Sequence, residues 1–426
     1  MQLQKVELFS SKRDIFYFLL LCCTLFIFSL SYQYYQYKQL TKFDSQILHA
    51  EVLKHYKKTK QTKSGKLRTK YIAKLKADDG SIFYTITNRK YHNLQHKHIE
   101  LEVWAGNISF LAYLKGYFAF SKILHVSTKK TLKETFALAI AKQHKTQELQ
   151  ELFNALFLAL APSKHLQQIF SQLGISHLVA ISGFHLGILS AILFFLFRPP
   201  YSFLQNRYFP YRSYHKDSFI VIAFLLLSYM LFLGTPDSLL RTYGMFVVGF
   251  LLYERGFTLF SMQTLLVTLL LLLSLFPKLF FSLGFALSIT GVFYIFLFAI
   301  YAKNLTKWWQ FILLPFWMYL VMLPYSIAIF GNFNLEHPFS ILWTTLFSLF
   351  YPLELFLHLI NHGNLLDRPL TYLLHVRLHT TILSLSKTVL LLHTLLSLGS
   401  IYKRFLFICL LFESCFLFIY FIYNVT

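Results

Sequence analysis

The second half of this chain consists of apolar runs that follow one another with only short polar breaks. Nine runs between residues 175 and 423 are 16 to 23 residues long, and a helix of about 20 apolar residues crosses a bilayer. The composition agrees, since 56% of the residues are hydrophobic and 14% are charged, a balance unlike that of soluble globules. We predict ten spans: residues 15–32, 175–197, 218–234, 238–253, 257–276, 279–301, 310–330, 339–360, 380–401 and 405–423.

The first apolar run predicts the orientation of the chain. Residues 15–32 follow Lys5, Lys12 and Arg13, and no small-residue cleavage site comes after them. They are interpreted as an uncleaved span instead of a signal peptide. Positive residues favour the cytoplasmic side. The N-terminus is therefore expected in the cytoplasm, and the next segment outside it.

The formal net charge of +22 lies mainly in that next segment. Residues 33–150 hold 22 basic and 8 acidic side chains and contain no long apolar run. A domain of this length crosses a membrane largely regardless of its charge, so its basicity needs another cause. The predicted domains are a tail and first span (1–32), a basic extracytoplasmic domain with a lead-in (33–130), amphipathic or interfacial helices (131–174) and a multi-span membrane domain (175–426).

Several short strands are predicted in the basic domain. Residues 66–76 alternate between Leu, Tyr or Ala and Lys or Arg, and residues 98–104 alternate in the same way. A period of two predicts half-buried strands. Their number and size favour a small barrel of the OB-fold class. Residues 38–65 are interpreted as a helical or flexible lead-in, and residues 131–160 as helices that lie on the membrane or pack against the spans or the strands.

The most informative segment is residues 174–187, GISHLVAISGFHLG. Polar side chains within a membrane are costly unless they face protein or water. On one continuous helix, His177, Ser182 and His185 would line one face. Two other interpretations are packing through the Gly183–Gly187 GxxxG step and a Ser182 nucleophile with His185 as its base, for which the segment offers no orienting acid.

These residues resemble the signature of the ComEC competence family, inner-membrane channels that carry single-stranded DNA into bacteria during transformation. Residues 234–241 (GTPDSLLR) are similar to the family's Ser-x-x-Arg helix start, and 284–288 (GFALS) to its Gly-Phe-Gln-Leu-Ser block, with Ala286 in place of Gln. The resemblance covers the strand module and residues 151 to about 360. It implies a translocation path formed by His177, Ser182, Gly183, His185, Gly187, Ser238, Arg241 and Ser288.

Arg241 has two interpretations. It lies four residues after Asp237, and Thr235 with Pro236 can begin a helix, so a surface ion pair is one of them. In a channel, the guanidinium would instead lie beside the path and attract phosphate.

Features that the sequence lacks also limit the chemistry. Longer members of the family carry a C-terminal metallo-β-lactamase-like domain, but this sequence has neither its HxHxDH cluster nor a phosphate-binding GxxxxGK[ST] loop. We therefore predict no enzymatic activity, catalytic residue, metal or cofactor. Strand degradation and energy would come from other partners: a periplasmic DNA-delivery protein, a separate nuclease, and cytoplasmic single-strand-handling proteins or a motor. Membrane lipids and a second copy of the chain complete the expected partners.

The predicted fold is thus a polytopic α-helical membrane protein with an inserted, OB-fold-like extracytoplasmic domain. Its predicted function is single-stranded DNA transport across the bacterial cytoplasmic membrane. Tyr71, Tyr84, Tyr91 and Trp104 are candidates for base stacking, although Tyr71 and Trp104 fall on the inferred core face. The alternatives are an integral-membrane enzyme acting on lipid-linked or cell-envelope precursors and a small-solute transporter. Basic residues expected to bind phosphates are Lys66, Arg68, Lys70, Lys74, Lys76, Arg89 and Lys90.

Overall fold

The computed structural model describes residues 9, 11–61, 67–88, 94–95, 97–127, 131–254, 261–376 and 381–425. Its helices are α1 (Lys12–Leu40), α2 (Phe110–Lys115), α3 (Leu132–Ala141), α4 (Gln147–Leu158), α5 (Lys164–Gln172), α6 (Ser176–Val179), α7 (Gly183–Tyr208), α8 (Tyr214–Phe232), α9 (Asp237–Glu254), α10 (Met262–Leu275), α11 (Leu283–Tyr301), α12 (Lys307–Phe330), α13 (Ser340–Leu359), α14 (Asp367–Leu374), α15 (Lys387–Gly399) and α16 (Arg404–Tyr423). Its strands are β1 (Gln46–Gln61), β2 (Leu67–Ala77), β3 (Ile82–Thr87), β4 (His98–Trp104), β5 (Tyr117–Phe118), β6 (Phe120–Val126), β7 (Asn332–Phe333) and β8 (Thr381–Ile382).

The chain divides into two compact units. The sheet unit comprises Phe9–Leu138 and Leu270–Leu283. The helical unit contains Ala139–Leu269 and Gly284–Thr426.

The sheet unit contains a curled six-stranded sheet of order β5-β3-β2-β1-β4-β6. β5 and β6 are at opposite ends of this order, yet only Ala119 separates them in the chain. The two ends therefore approach each other, and Thr85 Oγ1 of β3 lies 2.7 Å from Ser121 Oγ of β6. Among the described strands, however, no hydrogen-bonded ladder joins β3 to β6. The structure therefore shows a curled sheet, and the predicted closed barrel is not shown.

The alternation predicted for the strands is confirmed, with one correction. Ala73 and Leu75 of β2 are fully buried, whereas Lys74 and Lys76 point to the opposite, outer face. On β4 the buried set is Ile99, Leu101 and Val103. Trp104, which was expected in the core, is 43% exposed, because it alternates with Val103 and so shares the outer face.

The interpretation of residues 38–65 as a helical or flexible lead-in is wrong. Helix α1 extends to Leu40, and β1 then occupies Gln46–Gln61, paired with both β2 and β4. Lysine-rich β1 has little regular alternation because a bulge at Leu53 interrupts its register between Val52 and Lys54. A bulge shifts the side-chain alternation by one residue, so a fixed period of two fails along this strand.

Seven helical segments of the described chain are long and apolar enough to cross a membrane, by length and composition. They are α1, α7, α8, α11, α12, the segment His337–Leu359 that includes α13, and α16. Of the other predicted spans, α10 and α15 are apolar but have only 14 and 13 residues. The 18-residue α9 is not among the seven; it contains Asp237, Arg241 and Glu254.

Helix α4 resolves the alternatives for residues 131–160 in part. Seven of its twelve residues are buried, and it packs in the helical unit against α6 and α14. The buried face of this segment therefore packs against neighbouring helices. None of the residues of α3 is buried.

Candidate functional site

The predicted span 175–197 is broken, and the break organises the candidate site. Helix α6 ends at Val179 and α7 begins at Gly183. His177 and His185 therefore belong to different helices, and the expectation that they line one face of a single helix is wrong. Ser182 is the N-cap residue of α7, and its side chain satisfies a backbone N–H that the break leaves without an intrahelical partner.

His185 and Ser182 form a reciprocal cap. The Ser182 backbone N–H donates to His185 Nδ1 at 3.1 Å, and Ser182 Oγ accepts from the Phe184 N–H at 3.3 Å. A backbone N–H can only donate, so Nδ1 of the neutral imidazole is the acceptor and Nε2 carries the proton. Ser182 Oγ also lies 3.1 Å from His185 Nδ1, and the geometry of the pair is that of a helix cap.

The His185 ring lies in an aromatic enclosure. It is 1% exposed and meets Phe347 and Tyr351 of α13 edge to face, at centroid distances of 5.1 and 4.8 Å. Its Nε2 makes no hydrogen bond within normal bonding distance among the described residues. The Leu178 backbone carbonyl nevertheless interacts favourably with the imidazole ring. The enclosure fixes α7 against α13.

Helix α9 holds the break in place. Ser238 Oγ donates to the Ile181 carbonyl at 2.7 Å, and Thr242 Oγ1 donates to the Ser238 carbonyl at 2.9 Å. Gly183 lies directly against Thr242, so that a Cβ at Gly183 would approach Thr242 Oγ1 to 2.7 Å. Glycine is needed here for close packing. Thr242 was missed from the sequence, although it lies one helical turn beyond Ser238.

Arg241 joins α9 to α11. It is only 3% exposed, and its Nη1 donates to the Gly284 carbonyl at 3.0 Å. The interpretation of Arg241 as a surface residue is therefore wrong. The sequence predicted Thr235 and Pro236 as the start of this helix. Thr235 instead has a left-handed φ of 52°, and α9 begins at Asp237.

Three separate motifs thus meet through hydrogen bonds and close packing. We call this arrangement the motif junction, and it consists of Ile181, Ser182, Gly183, His185, Ser238, Arg241, Thr242 and Gly284. Each of the three sequence blocks identified above contributes to it. Of its eight members, Ile181, His185 and Arg241 are buried, four are half-buried and Gly284 is exposed, so the junction fixes how the three motifs pack against one another.

The other predicted path residues lie around this junction. His177 is exposed, and its Nε2 lies 3.3 Å from Thr344 Oγ1 of α13. Gly187 is exposed and has open space where a Cβ would be. Ser288 is half-buried on α11. His177 and Gly187 are thus exposed, whereas Ser288 is half-buried, as four of the junction residues are.

The junction yields a prediction about Gly183. Gly183→Ala should overpack the contact with Thr242 and cost about 1–3 kcal/mol, which would lower thermal stability and DNA uptake. Thr242→Ala removes the two closest atoms, so the double variant should recover part of the loss. Gly187→Ala is the matched control, because its Cβ enters open space. Thermal unfolding of the purified variants measures this, and equal Tm values for Gly183→Ala and Gly187→Ala would contradict it.

A second candidate site lies on the outer face of the sheet unit. The bulge at Leu53 brings Lys54 opposite Lys74 and Lys58 opposite Lys70 across the β1–β2 ladder, followed by the Lys60–Arg68 backbone pair. We call these three pairs the basic ladder. Like charges directly opposite each other destabilise a sheet. The Lys54–Lys74 and Lys58–Lys70 pairs therefore concentrate positive charge on one face of β1 and β2.

The electrostatics of the basic ladder agree with this geometry. Desolvation by the surrounding strands and, second, the charge of Lys74 lower the pKa of Lys54. Tyr84 lies on the same face, and Lys74 Nζ is 5.9 Å from its ring centroid. Lys76 is paired in register with Glu51, so it contributes less free positive charge than expected.

Several predicted phosphate ligands cannot be placed. Lys66, Arg89, Lys90 and the candidate stacking residue Tyr91 lie outside the described residues. Arg68 lies on β2, where only its backbone is described. Of the predicted residues, Lys70 and Lys74 are the two that the structure places opposite lysines of β1, Lys58 and Lys54. Lys54 and Lys58 were missed because the strand and its bulge were not predicted.

Comparisons with known proteins bear on the helical unit. A family model described as "Competence protein" matches residues 161–423, more than half of the 426-residue chain. The match includes the motif junction and extends to the last helix, beyond the limit of about residue 360 inferred from motifs. No curated protein matches the chain. No solved structure matches it.

Proposed function

We propose, on the premise that this chain belongs to the Competence protein family, that it carries single-stranded DNA across the bacterial cytoplasmic membrane. Family membership indicates a role in DNA uptake during competence. With the seven candidate spans, it indicates a multi-pass inner-membrane protein. Beyond this role, we propose that the DNA passes as a single strand and that particular residues form its path.

The observation that carries the proposal is the motif junction. Ser238 bonded to the Ile181 carbonyl and Arg241 bonded to the Gly284 carbonyl connect three motifs that are far apart in sequence. The break at residues 180–182 lies within this connection, and non-helical backbone at membrane depth is tolerated where it is buried in protein or lines a cavity. His177 and Gly187, on either side of the break, are the accessible residues that we assign to the DNA path.

The sheet unit is proposed to receive the strand outside the membrane. β1 pairs with both β2 and β4, and β5 runs parallel to β3. If β5 and β6 act as one strand interrupted at Ala119, this pairing supports a partly open OB-type barrel, a class that binds oligonucleotides. The basic ladder then follows the phosphates, and Tyr84 and the exposed Trp104 offer faces for bases.

The proposed partners carry out the steps of DNA uptake that we do not assign to this chain. A delivery protein brings DNA to the sheet unit, a separate nuclease removes one strand, and cytoplasmic single-strand-binding proteins or a motor draw in the other. The N-terminus is then cytoplasmic and the six-stranded sheet extracytoplasmic.

Deletion of the gene in a naturally transformable host tests the transport step. Labelled double-stranded DNA should accumulate outside the cytoplasmic membrane, while recovery of labelled strand from the cytoplasm should be lost and return on complementation. Unchanged cytoplasmic recovery in the deletion strain would contradict transport by this protein. Loss of DNA from both compartments would assign it to an earlier step.

A further inference from the structure

A line of buried titratable groups lies in the helical unit, apart from the motif junction. His144 Nδ1 is 2.8 Å from Asp367 Oδ1, and His144 Nε2 is 2.9 Å from His358 Nε2. His358 Nδ1 is 2.7 Å from the Glu354 carbonyl oxygen and 3.3 Å from Glu354 Oε2. Exposure is 4% for His144, 9% for His358 and 0% for Glu354. These residues belong to three segments: the link between α3 and α4, the end of α13, and the start of α14.

The surroundings fix the two rings. His144 stacks on Phe153 of α4 at a centroid distance of 4.3 Å and an interplanar angle of 7°, and His358 meets the same ring at 4.6 Å. Gln143 Nε2 donates to the His358 carbonyl at 3.2 Å, and its Oε1 accepts from the Gly363 N–H at 2.9 Å. A Cβ at Gly363 would approach His358 Nε2 to 2.7 Å. The rings are therefore held in one arrangement.

A count of hydrogen atoms constrains the protonation of this line. The Glu354 carbonyl can only accept, so His358 Nδ1 carries a hydrogen. The bond between the two Nε2 atoms needs one hydrogen, and the bond between His144 Nδ1 and Asp367 needs another. These contacts require three hydrogens, whereas two neutral imidazoles and a carboxylate supply two. One additional proton completes the line.

The position of the additional proton follows from burial. Burial, opposed by the hydrogen bond and the charge of Asp367, lowers the pKa of His144. With both rings neutral, the hydrogen count places the third hydrogen in the bond between the Asp367 oxygen and His144 Nδ1. His144 then carries its hydrogen on Nε2 and donates to His358 Nε2, so the two histidines have opposite tautomers.

We propose that Asp367, His144, His358 and Glu354 form a binding site for a single exchangeable proton, which fastens the α3–α4 link to α13 and α14. The groups lie in a line instead of converging on a point, and no cluster that could hold a metal ion is found among the described residues. The site is independent of DNA: it controls how firmly the segment before α4 is attached to the membrane helices.

Other charged groups surround the site. Those that act on His144 are Asp367, His358 and Glu354. On α4, Glu148 faces away toward His165 and His375, at 3.9 and 3.7 Å. Exposed His362 has its Nδ1 2.7 Å from the Ile360 carbonyl. These further groups are the same in both variants compared below, so their contributions cancel in the comparison.

The sign of the pH effect follows from linkage. Compared with folded Asp367→Asn, the folded wild type binds one more proton, whereas the unfolded chains bind equal numbers above about pH 5, so the wild type loses stability relative to the variant as pH rises. Asp367→Asn offers an amide N–H to His144 Nδ1 and completes the line without the additional proton. Over about pH 5 to 8 the unfolding constant of the wild type should rise relative to that of Asp367→Asn, by up to about tenfold per pH unit.

The experiment compares Tm against pH for the full-length wild type and Asp367→Asn in nanodiscs. A wild-type Tm that falls relative to the variant as pH rises supports the site, and parallel curves overturn it. If the variant does not fold, nitrogen-15 NMR of the histidine-labelled wild type decides. His144 as the Nε2–H tautomer and His358 as the Nδ1–H tautomer support the site, and identical tautomers overturn it.

Discussion

Arg241→Ala is expected to reduce DNA internalisation by about 10- to 100-fold while the protein still inserts into the membrane. The substitution removes the hydrogen bond to the Gly284 carbonyl that joins α9 to α11. Hydrogen bonds from charged donors contribute about 1.5–3 kcal/mol, and each 1.4 kcal/mol lost lowers the population of the assembled junction by about a factor of ten, with uptake falling in proportion. Transformation frequency, normalised to the amount of protein in the membrane, measures the effect.

Arg212→Ala is the matched control for this substitution. Arg212 pairs with Asp217 at 2.7 Å, but its side chain is 53% exposed, and exposed ion pairs contribute about 0–1 kcal/mol. Uptake by Arg212→Ala should stay close to that of the wild type. Normal uptake by Arg241→Ala would remove Arg241 from the functional site and leave the junction without its link to α11.

Replacement of four lysines of the basic ladder should strongly weaken binding of single-stranded DNA and reduce its salt dependence. The variant changes Lys54, Lys58, Lys70 and Lys74 to glutamine. Each neutralised phosphate contributes about 0.7 to the slope of log affinity against log salt for single strands. Four lost contacts should therefore flatten the slope by about 2.8. Titrations of the full-length protein with a labelled oligonucleotide at several salt concentrations measure both effects.

The control variant removes the same charge elsewhere. Lys42, Lys57, Lys97 and Lys145 are exposed lysines outside the ladder. Their replacement by glutamine lowers the net charge equally but leaves the cross-strand pairs intact. Equal losses of affinity and slope in the two variants would mean that overall charge, and not the ladder, attracts DNA.

The limits of sequence interpretation are clear in the sheet unit. Alternation correctly predicted the buried faces of β2 and β4, because a half-buried strand in a regular ladder has a period of two. The same rule failed for β1, where the bulge at Leu53 brings Lys54 and Lys58 to the face of Lys70 and Lys74. A bulge depends on the pairing partner, so the spacing of lysines along one strand could not reveal the ladder.

The motif junction was only partly predictable for a similar reason. The composition of residues 174–187 identified an unusual segment, but a helical wheel assumed continuity that the capped start at Gly183 interrupts. Burial of Arg241 depends on the position of the Gly284 carbonyl, 43 residues later. The line from Asp367 to His144 joins residues 223 apart, and no local pattern could indicate it.

Photo-crosslinking of DNA during uptake tests the central claim most directly. A photoreactive amino acid is placed at Gly187, where open space accommodates a bulky side chain, or at His177. The control position is Phe224 of α8, which is 68% exposed and lies outside the motif junction. We predict crosslinks to labelled single-stranded DNA at Gly187 and His177 and none at Phe224. Absence of crosslinks at both path positions in transforming cells, or equal crosslinking at Phe224, would contradict a DNA path beside the motif junction.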